Sequence, residues 1–87
     1  MLKSVHTARH ALFCESLKRA RKAAGLTQVD VARLLREHQS FVSRYETGER
    51  RLDVVEFLEV AEILGIDPSR HIGELARSIR QTERPNR

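Results

Sequence analysis

Residues 26–51 read LTQVDVARLLREHQSFVSRYETGERR, and this stretch decides the fold. Its apolar residues recur at threes and fours, not twos, which is the helical period. Thr27 followed by Asp30 has capping-box spacing, in which each side chain serves the other's backbone N–H at a helix start. A helix therefore opens there, with Val31, Ala32 and Leu35 as its buried stripe. A second short helix is expected over Gln39–Glu46, with Val42 and Tyr45 turned inward and Gly48 ending it. The short joint between them, around Arg36 to Gln39, leaves the second helix displayed and not buried. Its outward side chains are Gln39, Ser40, Ser43 and Arg44. Glutamine complements an adenine edge, arginine a guanine edge, and serine either base or phosphate. Acidic groups, which phosphate would repel, are missing from that face; Glu46 is placed to point back inside.

The pattern extends in both directions. A first helix is expected from about Thr7 to Ala24, with Leu12, Phe13, Leu17, Ala20 and Ala24 towards the core and Gly25 as its stop. Asp53 and Glu56 repeat the capping logic for a fourth helix that Gly65 closes. Asp67 and Pro68 are a cap and first-turn pair for a fifth, expected to bury Ile72, Leu75 and Ile79. Gly73 within that helix costs ~1 kcal/mol relative to alanine. The expectation is an all-α chain: an N-terminal extension over 1–8, a compact five-helix domain over 9–80, and a flexible tail over 81–87. The fourth helix is apolar almost all round, with only Glu56, Glu59 and Glu62 as a polar stripe, so it must be covered on two sides. One side packs on the first three helices. The other needs the fifth helix or a second subunit. Ile72, Leu75 and Ile79, with that spare face, are the candidate homodimer surface, and packing within one chain is the equal alternative.

Composition narrows the function classes. Eighty-seven residues, 40% hydrophobic and 5% aromatic, suffice for one modest core and leave little for a cofactor cavity; no cofactor is expected. The net charge is +4, which suits a polyanionic partner. It is unevenly spread. Residues 1–25 carry Lys3, Arg9, Lys18, Arg19, Arg21 and Lys22 against Glu15, whereas residues 52–69 carry Asp53, Glu56, Glu59, Glu62 and Asp67 with no lysine or arginine. The lone Cys14 rules out an internal disulfide and suits a reducing compartment. No apolar run reaches the ~18–20 residues of a membrane span, and the N-terminus lacks a signal-peptide pattern. A cytoplasmic protein without a membrane partner is expected. His6, His10 and Cys14 stand at i, i+4 and i+8, a spacing that places three zinc-type ligands on one helix face. Solvated terminal histidines and a small core cysteine explain them more simply, and no metal is assigned. Neither a phosphate loop nor a nucleophile with a local base is present, so an enzyme is not expected.

Four blocks together carry a family resemblance: RKAAGLTQ at 21–28, VARLL at 31–35, QSFVSRYETGER at 39–50, and Leu58, Ala61, Leu64, Gly65 and Ile66. In this order and at these separations, residues 13–66 resemble the Cro/phage-repressor (XRE-like) class of helix-turn-helix proteins. The resemblance implies a lambda-repressor-like fold and a sequence-specific transcriptional regulator, a repressor binding double-stranded DNA at an inverted repeat as a homodimer. Gln28 looks like the glutamine that touches a phosphate and braces the first recognition-helix residue, which Gln39 matches. Ser40 and Arg44 are the next readers, and Ser43 a base or phosphate contact. Arg21 and Glu46 match a buried ion pair. Thr47 and Arg51 stand where the class contacts the DNA backbone, with Arg50 beside them as an auxiliary contact. Two positions depart from the pattern: Arg36 stands where glycine is usual, and His38 where a serine or threonine would cap the recognition helix.

Phe41 is placed either against a thymine methyl or, on the simpler reading, beside the preceding helix. The rival function is an antitoxin-like module in which the fifth helix and basic tail grip a partner protein and DNA binding is secondary. A metal-responsive regulator using His6, His10 and Cys14 is a third reading. RNA binding is disfavoured by the lack of exposed aromatic residues for base stacking.

Overall fold

Thr27 and Asp30 exchange two hydrogen bonds, Thr27 N to Asp30 Oδ2 at 2.9 Å and Asp30 N to Thr27 Oγ1 at 3.0 Å. Asp53 and Glu56 do the same at 2.9 and 2.7 Å. These two reciprocal caps satisfy N–H groups that a helix start leaves without intrahelical partners. In the computed structural model, which describes residues 7–83, the helices are α1 (Ala8–Ala23), α2 (Gln28–Leu35), α3 (Gln39–Thr47), α4 (Val54–Leu64) and α5 (Pro68–Thr82). No strand occurs among the described residues. Gly48 and Gly65 take left-handed backbone at the ends of α3 and α4, with φ of 89° and 71°. The Asp67 carboxylate caps α5 by accepting from the Ser69 and Arg70 amides.

The core is one cluster. Leu17 from α1, Val31 and Ala32 from α2, Val42 and Tyr45 from α3, and Phe57, Val60, Ala61 and Leu64 from α4 are buried against one another. The α4 contribution falls at i, i+3, i+4 and i+7, one face of a helix. That face packs inward, and Val54, Val55 and Leu58 of the same helix remain exposed.

Several boundaries differ from expectation. Helix α1 stops at Ala23, and Ala24, expected in the core, is an exposed C-terminal cap. Helix α3 runs one residue further, to Thr47. Helix α5 continues through Thr82, so residues 81 and 82, expected in a flexible tail, are helical. Its end is tied down: Arg9 meets the Glu83 carboxylate with two hydrogen bonds, 2.7 and 2.8 Å. Ala8, expected in the N-terminal extension, opens α1, and Thr7 caps it. The remainder of that extension and of the tail lies outside the described residues.

Helix α5 contributes no fully buried residue, which corrects the expectation for Ile72, Leu75 and Ile79. Leu75 and Ile79 are half-buried, and Ile72 is 44% exposed. The helix docks partly through His71, whose ring lies 5.9 Å from that of Phe57. His71 Nε2 is 2.9 Å from Ser16 Oγ. The Ser16 hydroxyl donates to the Phe13 carbonyl at 2.6 Å, so its oxygen accepts from a protonated Nε2. Burial pushes the His71 pKa below the ordinary histidine value. No helix among the described residues is long and apolar enough to cross a membrane.

Candidate nucleic-acid interface

The turn between α2 and α3 aims the site. Arg36 has φ 60° and ψ 43°, the left-handed conformation glycine adopts without penalty. A side chain there costs ~1–2 kcal/mol. The turn repays part of this through backbone hydrogen bonds, Arg36 N to the Arg33 carbonyl at 3.1 Å and Glu37 N to that of Ala32 at 2.9 Å. His38 occupies the N-cap of α3 with the extended backbone a cap requires, but its side chain makes no capping hydrogen bond. The first turn of α3 therefore keeps donors that its own cap does not satisfy.

A hydrogen-bond chain fixes the start of α3. Arg21 and Glu46, both buried, form a two-pronged ion pair: Arg21 Nε donates to Glu46 Oε2 at 2.6 Å and Nη2 to Oε1 at 3.1 Å. Arg21 Nη1 also donates to the Leu26 carbonyl at 2.9 Å, which pins the α1–α2 turn. Gln28 Nε2 donates to Glu46 Oε1 at 3.0 Å, and Gln39 Nε2 donates to Gln28 Oε1 at 3.2 Å. Four side chains from three helices thus run from the core to the surface, ending on Gln39.

Gln39, Ser40, Arg44, Thr47 and Arg51 are exposed, while Gln28, Ser43 and Arg50 are half-buried. Thr47 Oγ1 turns back onto the Arg44 carbonyl at 3.2 Å. Arg44 has a neighbour the sequence reading did not foresee: its Nε lies 3.7 Å from Glu49 Oε1, and both side chains are mostly exposed. The face beside α3 therefore does carry an acid. Its position just past Gly48, where the chain doubles back, is the only sequence signal for it.

Arg50 is held more tightly than a simple backbone contact would need. It donates to both Glu56 oxygens, at 3.2 and 2.8 Å, and to the Arg51 carbonyl at 3.0 Å. Its guanidinium also sits 4.7 Å from the centre of the Phe41 ring. The Arg50 guanidinium, with the Asp53 amide, holds the Glu56 carboxyl below its usual range. Phe41 is half-buried and packs edge-on against Tyr45, ring centres 5.6 Å apart.

His10 lies beside Cys14, with Nε2 3.7 Å from the sulfur. Cys14 is buried and its thiol is pushed up by desolvation, which disfavours the thiolate a metal needs. His6 lies outside the described residues, and no group of three ligand-type side chains is assembled among those described.

Comparison with known proteins places this geometry. The helix-turn-helix family profile matches residues 17–70, more than half of the chain. Among solved structures, an XRE-family like protein from Pseudomonas syringae pv. tomato str. DC3000 superposes with a TM-score of 0.79 at 42% sequence identity, over 85% of this chain and 90% of that one. The clp gene regulator ClgR from Corynebacterium glutamicum superposes with a TM-score of 0.73 over 85% of this chain and 78% of that one. At 24% identity, that second likeness concerns the fold alone. No curated protein matches the sequence. Together with the left-handed turn at Arg36 and the exposed α3, the profile and the 42% identical structure establish that this chain belongs to the Cro/phage-repressor (XRE-like) class of helix-turn-helix proteins, a DNA-binding transcription regulator and not an enzyme.

Proposed function

We propose that the chain is a sequence-specific repressor that reads an inverted-repeat operator as a homodimer. In this reading α3 enters the major groove and α2 lies across the backbone. Gln39, Ser40 and Arg44 meet base edges, and Ser43 a base or phosphate. Gln28, Thr47 and Arg51 position the module on phosphates. Arg50, engaged by Glu56 and Phe41, serves chiefly by fixing the loop that carries Arg51.

The observation that carries the reading is the exposed start of α3, with Gln39 braced by Gln28. One such module spans only a few base pairs, so specificity calls for two copies. The exposed Ile72 of α5 and Leu58 and Val54 of α4 support an isologous contact between α4–α5 faces. Occupying a promoter then represses by excluding polymerase.

Selection from random duplex DNA tests the proposal. The expected motif is an inverted repeat with half-site centres about one helical turn, ~34 Å, apart. Gln39→Ala and Arg44→Ala are each expected to cost ~1–3 kcal/mol and to flatten preference at one position per half-site. Arg51→Ala is expected to weaken all sequences alike. A selection that enriches no motif, or reader variants with unaltered base preferences, would sink it.

A further inference from the structure

We propose that Glu49 is a specificity-determining residue: its carboxylate, held against Arg44 by the turn that ends α3, changes that arginine from a general phosphate clamp into a reader of guanine. The inference rests on the reading that α3 enters the major groove, and adds to it a role for an acid at the rim of that face.

The turn after α3 is built around the residue that Glu49 meets. The Arg44 carbonyl accepts from the Arg50 amide at 3.1 Å and from Thr47 Oγ1 at 3.2 Å. The first of these bonds closes the chain back over Gly48, whose φ of 89° is left-handed, as a glycine commonly does at a helix end. Arg50 is fixed in turn by Glu56 and by the Phe41 ring. Glu49 therefore stands between two anchored residues, and the backbone sets its place relative to Arg44. From there its Oε1 lies 3.7 Å from Arg44 Nε.

An exposed arginine on a surface that meets DNA attracts any phosphate, because that attraction is blind to sequence. A carboxylate this close offsets much of the arginine's charge and itself repels phosphate. It leaves the hydrogen-bonding capacity of the guanidinium where base recognition needs it. With the acid against Nε, the outer nitrogens Nη1 and Nη2 extend beyond it as the fork that guanine O6 and N7 complement. The pair thus loses attraction at a phosphate and keeps its hydrogen bonds at a guanine. Both side chains are mostly exposed, so water screens their attraction in the free protein. Displacing that water as α3 is seated in the groove strengthens it, at the step where the base is chosen.

Glu49→Gln tests the proposal, because it removes the charge and keeps the shape at an exposed position where substitution disturbs the fold little. Binding is measured to duplexes carrying the selected site with each of the four base pairs at the position that Arg44→Ala makes indifferent, and to a scrambled duplex. Glu49→Gln is expected to lower the guanine preference at that position about threefold, the scale of an exposed ion pair, and to leave the preference at the Gln39 position intact. It is expected to bind the scrambled duplex more tightly, with a salt dependence steeper by about one released ion. In the Arg44→Ala background the same change is expected to alter no preference. On the selected site, the Arg44 Nε–H followed by NMR is expected to exchange with water faster in Glu49→Gln than in the wild type, and equal rates count against the pairing. If Glu49→Gln tightens every duplex by one common factor, the acid tunes affinity alone, and the proposal fails while Arg44 remains a reader. Unaltered affinity and unaltered preference remove Glu49 from recognition altogether. If Arg44→Ala flattens no position, the reader assignment falls, and the role of Glu49 with it.

Discussion

At the scale of single residues, two positions are where stability is given up, and the first is in the turn between α2 and α3. Arg36 holds left-handed backbone with φ 60°, so Arg36→Gly removes a steric cost of ~1–2 kcal/mol and adds back part of it as extra freedom of the unfolded chain. The expected net gain is ~0.5–1 kcal/mol, a rise of about 5 °C in the unfolding midpoint of a chain this size; a midpoint that falls contradicts the strain argument. Tyr45 is a second such site. Its hydroxyl is buried without a hydrogen-bond partner among the described residues, and burial beside Glu46 pushes the phenol pKa up. An unpartnered buried hydroxyl costs ~1–3 kcal/mol, so Tyr45→Phe is expected to be neutral or stabilising in urea unfolding. A clear destabilisation would mean that the hydroxyl has a partner. The strained position was legible in the sequence, because a charged residue stood where a glycine-type turn was needed. The orphaned hydroxyl was not, since inward periodicity says that Tyr45 is buried but not what its oxygen meets.

The starts of α2 and α4 were the most legible feature at the scale of elements, because caps are local chemistry: Thr27 with Asp30 and Asp53 with Glu56 lie three residues apart, and each pair bonds within itself. Contacts between elements were harder to read. Arg50 lies in a run of charges just past α3, and nothing in its spacing reveals that Glu56 and Phe41 hold it. Glu56 consequently has two tasks, capping α4 and anchoring the α3–α4 loop. Its folded pKa is depressed, by Arg50 first and then by the Asp53 amide. Such a group contributes stability that is present above the unfolded carboxylate pKa and is lost as pH falls through the lower folded value. Acid titration of the wild type is therefore expected to loosen the loop below about pH 4.3. Glu56→Gln is expected to be ~1 kcal/mol or less destabilised at neutral pH, and to lose part of that acid dependence. Hydrogen exchange of the residue 48–56 amides checks this, and an unchanged acid profile in Glu56→Gln would remove Glu56 from the account.

On the scale of the whole molecule, the four-helix core is complete without α5. The fifth helix adds half-buried side chains, the His71–Ser16 hydrogen bond and the Arg9–Glu83 pair that joins its end to the start of α1. Amphipathic spacing could show that Ile72, Leu75 and Ile79 lie on one side of a helix; it could not apportion that side between this chain and a second one. Ile72 separates the two uses, because it is more exposed than Leu75 or Ile79, which are half-buried. An exposed isoleucine can be replaced by a charge with little effect on the monomer, whereas a charge at the centre of an isologous contact is met by its own symmetry copy. Ile72→Asp is therefore expected to sediment as a monomer at concentrations where the wild type is a dimer, with an unchanged thermal midpoint under conditions that keep both monomeric. It is expected to keep wild-type affinity for a single half-site and to lose cooperative binding to the inverted repeat. If Ile72→Asp still dimerises and still binds the repeat cooperatively, the contact lies elsewhere. If the wild type is itself monomeric both free and on the operator, the homodimer reading fails, and the uncovered α4–α5 face is left to a different protein.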